Sequence, residues 1–413
     1  MDPDAICWYA EPGDPPGEDA VLLVGGYQGF ANFGDLLQVK GVARWHREAT
    51  GLRPVPVLSL TAIADAGFSA RVRAWLGVDQ VLYWSERPVD AAAAGLAELR
   101  RVPRVPHLHV YGGECFSGRW VDLYVALIES AHRRFGVGHY VLSGQQADAV
   151  AVPAMRGCFE RRAPVLAGGR DPESAAHLRA AGAPGQHSFD DALEAMDRLV
   201  VAGTVSVPRP RASVLVHLNT SFYTQGEDEG LAADLGRVAG VDDDAVLLQA
   251  FDERRVYEIT DTLGTLVELE DAFPFASYGV VDLARLALAL DHGPLPAALP
   301  EGARLAYACS YHVTLLCTVL GVPCFLRARN RYYRQKRAGL GLPGDLTLER
   351  FLERPAAPSL DGPREARSAW LEQLAEAYAR APDRREPQAA PERGAPVPWR
   401  RKPGIAEVRA RFR

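Results

Sequence analysis

One imidazole stands apart in the 413-residue sequence. His312 lies in "LAYACSYHVTLLCTVLGVPCF" (Leu305 to Phe325), among small and apolar residues and just ahead of a Gly-Val-Pro turn. Imidazole titrates near neutral pH, so it can give or take a proton during a reaction. Ser310 puts a hydroxyl two residues before it. Arg170 follows two glycines in "AGGRDPES", where its planar fork can meet a carboxylate or a phosphate. "GGYQGFANFGDLLQ" places Asn32, Gly34 and Asp35 in a glycine-rich turn ahead of a helix, and free amides at such a start favour an anion. "RARNRYYRQKRAG" crowds Arg327, Arg329 and Lys336 into one basic stretch. These residues suit proton transfer beside a small anion: His312 as the acid, and Asn32, Gly34, Asp35, Arg170, Ser310, Arg327, Arg329 and Lys336 as substrate-binding groups.

Each of them has a blander reading. On a helix, His312, Leu315, Leu316 and Val319 share one face, which is also the pattern of a core histidine. Asn32 or Asp35 can cap a helix, and so can Asp171 or Ser174 after Arg170. Arg170 can pair with a structural carboxylate, and a run of charge is commonly a solvated face.

What must position these groups is a series of strands and helices. "AVLLVGG" is a continuous apolar run ending in glycines, as in a strand buried on both faces. The helix "FGDLLQVKGVARWHREATG" follows, closed by Gly51. Strands at "VPVLSL", "QVLYWS", "HLHVYGGE" and "GHYVLSGQQ" then alternate with helices, which predicts right-handed crossovers and a mainly parallel sheet. A proline-rich seam at "VSVPRPRASVLVHLN" precedes a second series: strands at "SVLVHLN", "AVLLQAF", "TLVELE", "ARLAYACS" and "PCFLRAR", with helices at "VVDLARLALAL" and "HVTLLCTVLG". The expected fold class is α/β, with two Rossmann-like domains facing a cleft. The expected bounds are an N-terminal extension over 1–19, domains over 20–207 and 208–345, a helical segment over 346–382, and a disordered Pro/Arg-rich tail over 383–413. In open parallel sheets ligands bind beyond the carboxyl ends of the strands. His312 opens a helix at such an edge.

Composition narrows the class further. Hydrophobic residues make up 48% and charged residues 24%, as in a globular chain, and the net charge of −6 leaves no basic footprint for nucleic acid. Six cysteines occur without a C-x-x-C pair, which predicts buried thiols, no metal site and a cytoplasmic location. No apolar run reads as a membrane span and the acidic N-terminus does not read as a secretory signal. No cofactor is expected.

Taken in order, these motifs resemble the polysaccharide pyruvyl transferase family. Its Asn-x-Gly-Asp turn is matched by Asn32, Gly34 and Asp35, its glycine cluster by Gly112 and Gly113, and its Gly-Gln segment by Gly144 and Gln145. An Arg-Asp-x-x-Ser motif is matched by Arg170, Asp171 and Ser174. The late histidine, Gly-Val-Pro, aromatic residue and lysine are matched by His312, Gly321, Pro323, Tyr332 and Lys336. The resemblance spans most of residues 20–342. It implies two Rossmann-like domains in a glycosyltransferase-B-like arrangement. It also implies transfer of the enolpyruvyl group of phosphoenolpyruvate to two hydroxyls of a sugar-containing acceptor, with His312 as general acid and Arg170 on the donor's carboxylate or phosphate.

Two positions depart from the family pattern. Ser310 stands where the family has an arginine two residues before its histidine, and "QQAD" replaces a Gly-Pro after the Gly-Gln segment. A missing guanidinium costs about 1.5–3 kcal/mol per charged hydrogen bond unless another cation substitutes, and Arg327 or Arg329 is the expected substitute. Two other functions stay open on the sequence: a glycosyltransferase-like enzyme with a nucleotide-activated sugar as donor, and a non-catalytic ligand-binding relative.

Overall fold

The structure is a computed structural model. It describes residues 1–380 apart from 14–15, 27–28, 63–66, 100–103, 206–213, 221–229, 253–259, 270–271, 298 and 300–301. The expected tail over 383–413 and the proline-rich centre of the seam lie outside the described residues.

The run Ala20–Val24 (β2) explains the first sheet. All five side chains are at most 3% exposed. Val21 and Leu23 enter a core shared with the helix Phe33–Trp45, while Ala20, Leu22 and Val24 enter another shared with the helix Val121–Phe135. A strand covered on both faces has no use for polar alternation, hence the unbroken apolar run. Around it, among the described residues, are β1 (Cys7–Ala10), β3 (Arg53–Ser59), β4 (Leu82–Ser85), β5 (Ala97–Glu98), β6 (His107–Val110), β7 (Gly113–Phe116), β8 (His139–Ala147), β9 (Leu166–Gly169) and β10 (Gly185–His187). The order is β10-β9-β8-β6-β2-β3-β4-β1-β5, with β7 beside β8. Pairing is parallel except at β1, which runs antiparallel to β4 and β5. The N-terminal segment thus adds a strand to this sheet.

The second sheet is parallel throughout, in the order β13-β12-β11-β14-β15: β11 (Val214–His217), β12 (Asp244–Gln249), β13 (Ser277–Asp282), β14 (Leu305–Ala308) and β15 (Cys324–Leu326). Two sequence assignments change here. "TLVEL" forms the helix Thr262–Leu269 rather than a strand, because β12 and β13 pair in parallel and need a crossover between them. Val280 to Asp282 close β13, and the helix begins only at Leu283, where the Asp282 carboxylate accepts from Arg285 N at 2.9 Å.

The expected α/β class with two Rossmann-like sheets is present. Each sheet reverses its strand order, between β2 and β6 in the first and between β11 and β14 in the second. Crevices form at such switch points, beyond the carboxyl ends of the strands. The two edges meet: Phe33 N donates to Ala250 O at 2.9 Å, Asp252 N to Ala31 O at 2.9 Å, and Asn32 bridges Phe251. The helix Asp361–Ala379 returns to the first sheet, laying Trp370 on Gly168. No helix among the described residues is long and apolar enough to cross a membrane.

Candidate active site

The site is assembled from both switch points. Helix Phe33–Trp45 leaves β2 through the turn carrying Asn32, whose Oδ1 accepts from Gly34 N at 3.0 Å and whose Nδ2 donates to Asp35 Oδ2 at 2.9 Å. Helix Tyr311–Val319 leaves β14 with His312 in its first turn. The imidazole lies directly on Gly34: a Cβ added there would overlap His312 Nδ1. The glycine of the Asn-x-Gly-Asp turn is required by that contact, not by an unusual backbone angle.

Asp190, just past β10, is the centre of the cluster. Its carboxylate is fully buried and receives Arg170 Nε at 2.9 Å, His312 Nε2 at 3.5 Å and Gln38 Nε2 at 3.1 and 3.3 Å. Gln38 sits one helical turn after Gly34, and the same amide nitrogen faces His312 Nε2 at 3.3 Å. When Nε2 carries a proton it donates to Asp190, and when it is bare it accepts from the Gln38 amide instead, so the two contacts belong to different protonation forms of the ring. The Arg170 guanidinium lies 4.8 Å from the centroid of Tyr311. Beyond it, Lys336 stands over the rings of Tyr332 and Tyr333, at 4.0 and 4.9 Å. Gln335 Nε2 ties the same helix to Asp171 Oδ1 at 3.2 Å and to Ser174 Oγ at 3.1 Å.

Burial sets the charges. It would raise the Asp190 carboxyl, but Arg170 and then His312 outweigh it, and Asp190 stays ionised well below the usual carboxylate range. For His312 burial dominates and lowers its pKa, with Asp190 pulling the other way. Burial pushes Asp35 up to about 7 against the pull of Arg170, and pushes Lys336 down to about 7 against the pull of Glu114. Two groups able to exchange protons near neutrality thus face a fixed ion pair. Asp35, His312, Tyr332 and Lys336 are all only partly buried, so the cluster has an open side. Two of its atoms, Gln38 Oε1 and Tyr311 Oη, are buried without a hydrogen-bond partner.

Of the expected site residues, Asn32, Gly34, Asp35, Arg170, His312 and Lys336 come together. Ser310 is the residue before the helix of His312, and its carbonyl accepts from Thr314 Oγ1 at 2.9 Å. Arg327 and Arg329 go elsewhere, contrary to the expectation that one of them completes an anion clamp with Arg170. Arg327 Nε lies 3.6 Å from Asp234, and both arginines line a separate cavity of about 310 Å³. Among that cavity's walls are Arg334 and Glu349, and none of Arg170, Asp190, His312 or Lys336. β15 ends beside β14, where Arg327 N donates to Ala308 O at 2.8 Å and extends the pairing by one residue, while the Arg327 side chain turns to Asp234.

The glycine motifs prove to be fitting devices. A Cβ on Gly112 would come within 2.6 Å of the Gln38 amide, and one on Gly144 within 2.6 Å of Asp191 Oδ2. Asp171 caps the helix Pro172–Ala180, accepting from Ser174 N at 2.8 Å, so Arg170 is held between the end of β9 and that cap. Gln38, Glu114, Asp190 and Tyr311 were not singled out by the sequence. The signal for Asp190 was faint: two carboxylates in "SFDD" directly after a strand.

No family model matches the chain, and no curated protein matches it. Solved structures similar to it include UDP-GlcNAc 2-epimerase from Neisseria meningitidis bound to UDP-GlcNAc, at 8% identity and a TM-score of 0.40, over 87% of this chain and 95% of that one. A putative UDP-N-acetylglucosamine 2-epimerase from Listeria monocytogenes aligns at 9% identity and a TM-score of 0.44, over 90% and 100%. UDP-GlcNAc 2-epimerase from Methanocaldococcus jannaschii aligns at 10% and 0.38, over 87% and 99%.

Proposed function

We propose that this chain is a carbohydrate-modifying enzyme that transfers a pyruvyl group from phosphoenolpyruvate to two hydroxyls of a sugar-containing acceptor. The observation that carries the reading is the convergence of His312 and Arg170 on Asp190, with Lys336 alongside, beyond the carboxyl ends of strands from both sheets. The reaction needs an acid for the enol carbon and cations for a carboxylate and a phosphate.

The steps balance as follows. A proton goes to C3 of the donor, leaving an oxocarbenium-like C2. A sugar hydroxyl adds to C2 and releases its proton. Phosphate then departs with its bonding pair, a second hydroxyl adds to the same carbon, and its proton leaves with the phosphate. The products are a cyclic ketal and inorganic phosphate, with no net redox change.

His312 supplies the first proton. Burial favours its neutral form before the donor binds, and the donor's negative charges oppose that effect by favouring the imidazolium. Lys336 and Arg170 meet the anionic end, with Arg170 held by Asp190 so that its fork does not reorganise during the reaction. Ser310, lacking charge, leaves this clamp smaller than the family pattern.

The test incubates the protein with phosphoenolpyruvate and a panel of nucleotide-linked and lipid-linked sugars, following phosphate release and the acceptor's mass. Phosphate together with a ketal on the acceptor is the expected result. His312→Ala should lower turnover by about a hundredfold or more. Release of a nucleoside diphosphate from a sugar nucleotide would instead make this a glycosyl transfer, and ligand binding that survives His312→Ala without turnover would make it a binding protein.

A further inference from the structure

Asp190 has a neighbour whose side chain points the other way. Asp191 is 1% exposed and lies under the helix Asp361–Ala379, where Arg367 Nη1 donates to its Oδ1 at 2.6 Å. The same guanidinium grips Glu194 with Nε at 2.7 Å and Nη2 at 3.1 Å, and Arg367 is itself 4% exposed. The other oxygen, Asp191 Oδ2, accepts from Gly112 N at 2.7 Å and from Ser143 Oγ at 2.7 Å. A carboxylate with this many donors is fixed in place.

The backbone on either side is constrained as well. Phe189 holds a φ of +56°, a left-handed conformation that costs a non-glycine residue of order 1 kcal/mol or more. Ser188 Oγ accepts from Gly144 N at 3.0 Å. Asp190 therefore sits between a strained residue and an anchored one, and the anchor belongs to a distant helix, with Arg367 176 residues from Asp191.

We propose that Arg367 is a positioning residue for the cleft: by gripping Asp191 it fixes the backbone that aims Asp190 at Arg170 and His312. The inference rests on the reading of His312 as the acid, and it gives the C-terminal helix a part in the site that its distance in sequence conceals.

The test uses Arg367→Lys, which keeps a cation but cannot reach Asp191 and Glu194 together, and Glu194→Gln, which weakens the grip without leaving a buried charge unpaired. Arg364→Gln is the control. It lies on the same helix and pairs with Asp197, so it loosens docking without touching Asp191. The first readout is NMR titration of the His312 imidazole in the full chain, which needs no substrate. With Asp190 displaced, the imidazole loses the carboxylate that favours its charged form, and its midpoint should fall by about 0.5 pH unit or more in both test variants and stay put in the control. The second readout is turnover, expected to fall about 10- to 100-fold in kcat with KM for the donor changed less than about threefold. Should Arg367→Lys not fold, Glu194→Gln carries the test alone. A His312 midpoint in Glu194→Gln and Arg367→Lys equal to that of the parent overturns the positioning role. A shifted midpoint in a protein that never turns over phosphoenolpyruvate supports the positioning role and counts against pyruvyl transfer only.

Discussion

Arg170 and His312 extend from the ends of strands in different sheets, yet both approach the same atom, Asp190 Oδ2, at 2.9 and 3.5 Å. Nothing in the local sequence of either residue demands that meeting. It follows from where the strands end: β9 and β10 lead to Arg170 and Asp190 in the first sheet, β14 leads to His312 in the second, and Gly34 is small enough for the imidazole to lie on it. An ion pair whose partners are 3% and 0% exposed is held by geometry and not by solvent screening.

The first prediction concerns that pair. Asp190→Asn leaves Arg170 charged and buried beside a neutral amide. Breaking a buried pair by removing one partner costs about 3–5 kcal/mol. Denaturant unfolding of the variant should show a loss of that size and turnover should be abolished. A loss under about 1 kcal/mol would mean that Arg170 is solvated and the cluster more open than described.

Gly34→Ala should separate chemistry from stability. Alanine favours a helix over glycine by about 1 kcal/mol, so the helix Phe33–Trp45 loses nothing by itself. The new methyl group overlaps His312 Nδ1, and the imidazole must leave its place between Gly34, Gln38 and Asp190. Turnover should fall about a hundredfold while the melting temperature moves by only a few degrees. Turnover within twofold of the parent would show that His312 is not needed in the position described.

Several of these relationships were legible in the sequence. The apolar run at Ala20–Val24 announced a doubly covered strand, and its glycine turn announced a helix start beside a ligand edge. His312, Arg170 and Lys336 could be named because each stands in a short motif beside an expected strand end. Asp190 could not, since a carboxylate after a short strand is ordinary until its partners are known, and those partners lie 20 residues before it and over 100 after it in number. Arg327 and Arg329 misled for the same reason. Proximity along the chain to Lys336 does not survive the turn into helix Arg331–Gly339, where Tyr332 and Lys336 serve the cleft while Arg334 lines the other cavity. The helix Thr262–Leu269 was misassigned because a short apolar run fits either period, and only the parallel pairing of its flanking strands decides.

The rate should depend on pH with a definite sign. Lys336 must be protonated to attract the donor, whose negative charge then favours the proton that His312 gives. Lys336 loses its charge as pH rises through about 7. Asp35 gains a negative charge over the same range, again near 7, facing the incoming anion. Both changes act in one direction, so kcat/KM for phosphoenolpyruvate should fall as pH rises from 6 to 8, by roughly tenfold per pH unit once past the midpoint. Lys336→Arg keeps its charge throughout and should shallow this decline. A kcat/KM that climbs over the same interval would assign His312 the role of base.

A last prediction comes from a layer of imidazoles beneath the helix Asp361–Ala379. Tyr378 lies with its ring 5.0 Å from His46, 5.7 Å from His107 and 4.9 Å from His139. His46 Nε2 meets His109 Nδ1 at 2.8 Å, and His109 Nε2 meets Ser143 Oγ at 2.6 Å. Ser143 gives its hydrogen to Asp191, so His109 must donate from Nε2 and accept at Nδ1, and His46 must donate from Nε2. A proton added to His109 Nδ1 would oppose the hydrogen of His46. Burial lowers both: His109 to about 4, with Arg367 and His139 adding to it and Asp191 opposing, and His46 well below its ordinary value, with His109 and His107 adding to it. Burial also lowers His107 to about 4 and His139 by a smaller margin. A histidine with a depressed folded-state pKa is without penalty above the unfolded value near 6.5 and costs stability as pH falls below it. Each such group contributes a slope of about 1.4 kcal/mol per pH unit between 6.5 and its folded value. Calorimetric melting between pH 7 and 4.5 should therefore show a steep loss well above the range where carboxylates titrate, and His109→Gln should flatten part of it. A melting temperature that stays level down to pH 4.5 would mean that these imidazoles are charged or solvated in the folded chain, and that the C-terminal helix does not seal them.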